Sequence, residues 1–214
     1  MPDHLPEAVS VAVKDIPIGE GVNDPEICPA WGEPDLSPAE QVFGWNTLEI
    51  LAMKAGNPEA PANAIPGQAS IHAQIRYVVG SDSDHFLEAI RTHLAKNGFQ
   101  DVDVVVSGGI KMEATRLDPN DLWVEWILDA IKRTTGKTPV LLPNLGGSLP
   151  NACFANTLGL PTLWVPHSYP ACLQHGPNEH ALGSVTLEGL QLMTGIFWDL
   201  SEVGLEIKAQ RRDG

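Results

Sequence analysis

Cations are scarce in this chain. Its 214 residues carry 13 Lys and Arg against 27 Asp and Glu, a formal charge of −14. Nucleic-acid binding draws on clustered cations that neutralise phosphates, and the one basic cluster, residues 208–212, is a short tail. No nucleic-acid partner is expected, and the negative charge reads as solubility. Cysteine is as sparse: Cys28, Cys153 and Cys172 form an odd, widely spaced set. That set fits reduced cytosolic thiols better than a disulfide framework, so a cytoplasmic location is expected. No apolar run approaches the roughly 20 residues that cross a bilayer, and residues 1–7 hold acidic side chains with no apolar leader core. No membrane partner is expected. Nucleotide signatures are also missing: no Gly-x-Gly-x-x-Gly occurs, and the pair Gly146-Gly147 lacks the Gly-Lys-Ser/Thr of a phosphate loop.

What is present divides into three stretches. Residues 1–36 hold a short helical candidate over 5–13, then a Pro-, Gly- and acid-rich loop over 16–35. Residues 37–117 open on Ser37-Pro38-Ala39-Glu40, a capping box with proline at the first helical position. A strand is expected over 47–53, and residues 62–79 carry a second strand signal. In the second, Ala69, Ile71, Ala73, Ile75, Tyr77 and Val79 form a packing face, and His72, Gln74 and Arg76 lie opposite. A helix follows from Ser81 to Gly98, with Leu87, Ile90 and Leu94 on one face, then a strand over 101–107. This order predicts a small α+β unit with helices on one face of an antiparallel sheet. Residues 118–214 alternate differently. A helix capped by Asp118-Pro119 carries Leu122, Trp123, Trp126, Ile127, Ala130 and Ile131 on one stripe and stops at Gly136. A strand over 138–142, a short helix over 150–158, a strand over 160–165 and a helix over 184–200 predict an α/β layer with parallel pairing.

Several residues in this frame could carry chemistry. His175 opens the turn His175-Gly176-Pro177-Asn178-Glu179-His180 after a buried-type strand, where α/β layers gather their ligand sites. Glu179 is placed to orient its imidazole through a hydrogen bond. His167, Cys172 and His180 lie close by, and Cys172-x-x-His175 has zinc half-site spacing, but no matching second pair exists. Gly146, Gly147 and Ser148 lead into the helix expected from Pro150, so their free N–H groups and the helix dipole favour an anion. An ordinary glycine-rich connection is the equal alternative. Arg76 is either a solvated surface cation or a bidentate carboxylate clamp. Asn63, ahead of Ala64-Ile65-Pro66-Gly67, is often purely structural in such a turn.

Taken together, Asn63-Ala64-Ile65-Pro66-Gly67, Ile75-Arg76, Gly146-Gly147-Ser148, Gly159-Leu160-Pro161 and His175-x-x-Asn178-Glu179 resemble metallopeptidase family 20. That family comprises zinc-dependent aminoacylases, carboxypeptidases and dipeptidases. The resemblance runs over about residues 37–200, with 5–35 a candidate insertion. It implies a ferredoxin-like lid, or dimerisation domain, over 37–117 and a partial α/β catalytic layer over 118–214. His175 matches the last metal ligand of a two-zinc site. Gly146, Gly147 and Ser148 match the loop that receives substrate, where some members carry Asp instead of the serine. Asn63 and Arg76 match lid positions that bind the substrate's carboxylate, in some members across a dimer.

The rest of the family's machinery is missing from these residues. No His-x-Asp and no adjacent Glu-Glu pair occurs, so the family's other metal ligands and its general base have no match, and neither does the lid histidine that polarises the scissile carbonyl. Catalytic zinc takes about three protein ligands. The resemblance therefore implies part of a zinc-dependent hydrolase of small peptides or N-acyl amino acids, homodimeric through its lid and completed by a separate N-terminal catalytic half. The competing expectation is a non-catalytic dimerisation or substrate-binding protein of the same descent.

Overall fold

The computed structural model describes residues 4–19, 26–28, 30–109 and 111–213. It is a mixed α/β chain of five α-helices and one antiparallel hairpin among those residues. Residues 20–25 and 29 of the expected N-terminal loop lie outside the described set.

The N-terminal helices pair. Helix α1 (Glu7–Val13) buries Val9 and Val13 against α2 (Pro38–Gly44). The capping box of α2 forms as expected: the Glu40 amide donates to Ser37 Oγ at 3.3 Å, and the Ser37 amide donates to Glu40 Oε2 at 2.9 Å. Ser10 on α1 donates its hydroxyl to the other carboxylate oxygen of Glu40 at 2.6 Å, so one acid caps α2 and ties it to α1. Buried Gln41 donates to the carbonyls of Glu33 and Leu36, pinning the preceding loop.

Strands β1 (Thr47–Ala55) and β2 (Ala69–Arg76) pair antiparallel, with Thr47 opposite Arg76, Glu49 opposite Gln74 and an irregularity at Ile50–Ala52. The expected packing face of β2 is open. Ile71 is 54% exposed, and Leu48, Ile50 and Met53 on β1 are exposed too. A two-stranded ribbon buries a face only when another layer lies on it, and no helix packs on the hairpin among the described residues. Helix α3 (Phe86–Lys96) instead meets Tyr77, the residue after β2, through the edge-to-face pair Tyr77–Phe86.

Helix α4 (Leu122–Thr135) begins three residues later than expected, because Asp121 caps it and Asp118 is spent in a local turn with the Asn120 amide. It stops where expected, at Gly136 in the left-handed region with φ 70°. Helix α5 (Gly183–Asp213) is longer than expected and packs along α4. Val124, Ile127 and Ala130 of α4 are buried, as is Ile196 of α5.

Three expected strands do not form ladders. Residues 101–107, 138–142 and 160–165 carry no sheet hydrogen bonds, and no parallel pair exists among the described residues. A strand satisfies its backbone only through neighbours, and the described chain supplies none here. The expected helix over 150–158 is a single π-helical turn, Cys153–Thr157.

Two stability outcomes follow from the caps. Asp121 Oδ1 accepts from the Trp123 amide, and Oδ2 accepts from Arg211 Nε at 2.8 Å, so one acid joins the start of α4 to the end of α5. Asp121→Ala is expected to lower the urea-unfolding free energy by about 1–2 kcal/mol, and Asp118→Ala by less than about 0.5 kcal/mol. The Ser10 hydroxyl first, then the amide and hydroxyl of Ser37, hold the Glu40 carboxyl below its ordinary 4.5. A depressed folded pKa gives stability that is complete above the unfolded value and lost as pH falls through the folded one. Acidification below about 4.5 should therefore weaken the wild type more steeply than Glu40→Gln in urea titrations.

Candidate functional site

The glycine loop is strung between two asparagines. Asn144 donates Nδ2–H to the Phe43 carbonyl at the end of α2, at 2.6 Å. Asn151 donates to Thr115 Oγ1 at 2.7 Å and to Thr162 Oγ1 at 2.9 Å, joining three chain segments at the loop's far end. Between these anchors Gly146, Gly147 and Ser148 are exposed. A Cβ at 147 would come within 2.8 Å of the Trp164 ring, so a larger residue there must displace that half-exposed ring. No α-helix follows the loop. A five-residue π turn aligns too few peptide dipoles to attract an anion as a helix end would, so only the loop's own N–H groups remain for that role.

Arg76 reaches this loop from the end of β2. Its Nη1 donates to the Gly146 carbonyl, and its Nε pairs with the Glu49 carboxylate, 3.0 Å from Oε1 and 3.1 Å from Oε2. Two of the expected substrate-binding positions, Arg76 and Gly146, are thus brought together across 70 residues of chain. Asn63 is not brought with them. It lies in the exposed turn at the opposite end of the hairpin, and eight residues of β2 at ~3.3 Å each separate that turn from Arg76 by more than ~20 Å.

His175 sits in a tight exposed loop with three left-handed non-glycine residues: Leu173 at φ 58°, His175 at 65° and Asn178 at 62°. The turn is therefore made by His175 itself, and Gly176 does not carry the positive φ. The Gly176 amide donates to the Leu173 carbonyl at 2.7 Å, and the His180 amide closes the loop on the Cys172 carbonyl at 3.0 Å. Glu179 does not orient the imidazole as expected; its carboxylate accepts the His175 backbone N–H at 3.3 Å. His180 is fully engaged, with Nδ1 at 2.9 Å from the Asn178 carbonyl and Nε2 at 2.8 Å from the Tyr169 hydroxyl.

His167, Cys172, Glu179 and His180 line one pocket of about 350 Å³. His167 lies against buried Gly189 of α5, where a Cβ would stand 2.7 Å from its Nδ1. Among the described residues no group of three or more His, Cys, Asp or Glu side chains is arranged to hold a metal ion. The described residues therefore do not fit a two-zinc centre. Sequence reasoning missed Glu49, Asn144 and Asn151. The one signal that could have found Glu49 is an acid and a base of opposite charge on adjacent strands, legible only once the hairpin register is known.

Removing the far anchor should free the loop. Asn151→Ala deletes two hydrogen bonds, each contributing about 1 kcal/mol net. Limited proteolysis within residues 145–150 should be faster in the variant than in wild type, with α4 left intact.

Residues 16–102 match the family model of the peptidase dimerisation domain of M20 enzymes. No curated protein matches the chain. Among solved structures, the chain is similar to an M20 family metallo-carboxypeptidase from Sulfolobus solfataricus, with 20% identity and a TM-score of 0.67 over 90% of this chain. At that identity the likeness is one of fold. The chain spans 44% of that relative's length. The match to the dimerisation-domain model over residues 16–102 and the fold shared with that carboxypeptidase point to the same family from two independent comparisons.

Proposed function

We propose that this chain is the lid and the C-terminal catalytic portion of a zinc-dependent amidohydrolase acting on small peptides or N-acyl amino acids. In this reading residues 1–36 precede a ferredoxin-like lid over 37–117, and 118–214 belong to the catalytic layer. The observation that carries it is Arg76 held against the Gly146 carbonyl. This contact puts a guanidinium, the best bidentate partner of a carboxylate, beside the exposed N–H groups of Gly147 and Ser148. Arg76 and the loop bind the substrate's carboxylate end. Asn63, more than ~20 Å away along the hairpin, serves such a site only from a second copy, which fits a homodimer through the lid. His175 offers one metal ligand from a backbone fixed by Glu179 and His180. The other zinc ligands and the general base come from polypeptide beyond these residues, and no catalytic step is assigned to this chain.

Exposed surface supports completion by further polypeptide. On α5, Leu187, Leu190, Phe197, Trp198 and Leu205 are 58–86% exposed and recur at helical spacing. They lie on the side opposite buried Gly189 and Ile196. A contiguous apolar stripe of this kind marks an interface. The second reading, a substrate-binding or dimerisation protein without catalysis, is favoured for the chain by itself by the lack of a gathered metal-ligand set among the described residues.

The test is zinc content and hydrolysis of N-acetyl amino acids by the purified chain, alone and with an N-terminal M20 half supplied in trans. The chain alone is expected to hold less than one zinc and to release no product, with EDTA-sensitive turnover only in the mixture. Two zincs and turnover by the chain alone would sink the reading of an incomplete site. Sedimentation at micromolar concentration should give a dimer, and a monomer would count against the lid interface.

A further inference from the structure

Arg76 is oriented by a neighbour that no motif includes. Thr47 stands opposite Arg76 and Glu49 opposite Gln74, so Glu49 and Arg76 share a face of the hairpin as diagonal neighbours. The Glu49 carboxylate sits 3.0 and 3.1 Å from Arg76 Nε. Nη1 is occupied by the Gly146 carbonyl. Of the five N–H donors of a guanidinium, those on Nη2 have no partner among the described residues. Two groups on different elements thus fix the plane of the guanidinium and leave its Nη2 donors uncommitted beside the glycine loop.

Both side chains of the pair are about 40% exposed. An ion pair this open contributes little to folding. Its consequence is geometric: a free arginine on an edge strand loses rotamer freedom when it grips an anion, and a guanidinium already held on Nε does not.

We propose that Glu49 is a positioning residue for carboxylate recognition. It holds the Nε edge of Arg76 so that Nη2 is presented, already ordered, to a carboxylate lying over Gly147 and Ser148. The inference rests on the reading of Arg76 as the carboxylate clamp. Glu49 is not a competitor that must leave, because it takes Nε and leaves Nη2 open.

The experiment titrates the full chain with N-acetylalanine and with N-acetylalaninamide, followed by NMR. The ratio of the two affinities reports recognition of the carboxylate separately from the rest of the ligand. Wild type should prefer the acid, and Arg76→Gln should erase the preference. Glu49→Gln should keep the wild-type circular dichroism and urea midpoint, speed exchange of the Arg76 Nε–H, and cut the acid preference by about tenfold, the net difference between a hydrogen bond to a charged group and a neutral one. Glu49→Asp should recover part of it. If Arg76→Gln erases the preference but Glu49→Gln leaves it unchanged or raises it, Glu49 has no positioning role while the Arg76 reading stands. If Arg76→Gln has no effect, or wild type shows no preference, the clamp reading fails and this inference with it. Unfolding of Glu49→Gln would also overturn it, since the pair would then be structural.

Discussion

Everything after residue 117 depends on α4 lying against α5. A helix satisfies its own backbone, whereas the intervening segments 138–142 and 160–165 have no ladder to lean on. What holds this half together is therefore the apolar seam of Val124, Ile127, Ala130 and Ile196. Gly195 allows the close approach, and Gly189 seats the His167 loop on α5. A Cβ at Gly195 would stand 2.1 Å from Thr134 Oγ1, and one at Gly189 would meet the His167 ring. The exposed pairs Arg133–Asp199 and Lys137–Glu188 span the same region and add little at high dielectric. Asp121–Arg211 differs, because the acid is only 10% exposed and also caps α4. Remove the seam, and the loops bearing Gly146 and His175 lose the frame that places them.

The legible parts of this fold are those whose causes are local. Ser37 with Glu40, the apolar stripe of α4 and the left-handed Gly136 each act within a few residues, and each appears where the pattern puts it. Strand character at 138–142 and 160–165 is also visible in the pattern, but a strand is completed only by a partner. β-Branched alternation cannot report whether that partner is present. The π turn at Cys153–Thr157 is illegible for a different reason: its residues could equally make an α-helical turn, and tertiary pins at Asn151 decide the outcome. α5 runs past Leu200 because Glu202, Glu206 and Lys208 are good helix formers, and Gly204 alone is too weak a stop.

The site was half legible. Motif order picked out Arg76 and Gly146, which do meet, and the turn at His175, which is closed by its own hydrogen bonds. Three non-glycine residues, and not Gly176, carry its positive φ. Left-handed backbone at Leu173, His175 and Asn178 costs of order 1 kcal/mol or more at each residue. It persists because the Cys172 carbonyl, the Glu179 carboxylate and the Tyr169 hydroxyl over-determine the loop. The pattern cannot foresee Glu179 turning to the backbone, since the same spacing serves an imidazole or an amide equally well.

Residues 37–117 meet the C-terminal half by polar pins. Arg76 of the hairpin reaches Gly146, Asn151 reaches Thr115, and Asn144 reaches back to Phe43 on α2. Among the described residues no helix of the second half packs on β1 or β2. Each such bond contributes about 1 kcal/mol net once water is counted, whereas a packed apolar layer would contribute far more and would forbid small rotations. A junction built this way can hold two units in register without fusing them. It also explains why the guanidinium at this junction needs a second partner. With Gly146 alone, the head of Arg76 would move whenever the hairpin does. With Glu49 on its own sheet holding Nε, the orientation belongs to the hairpin and only the position depends on the loop.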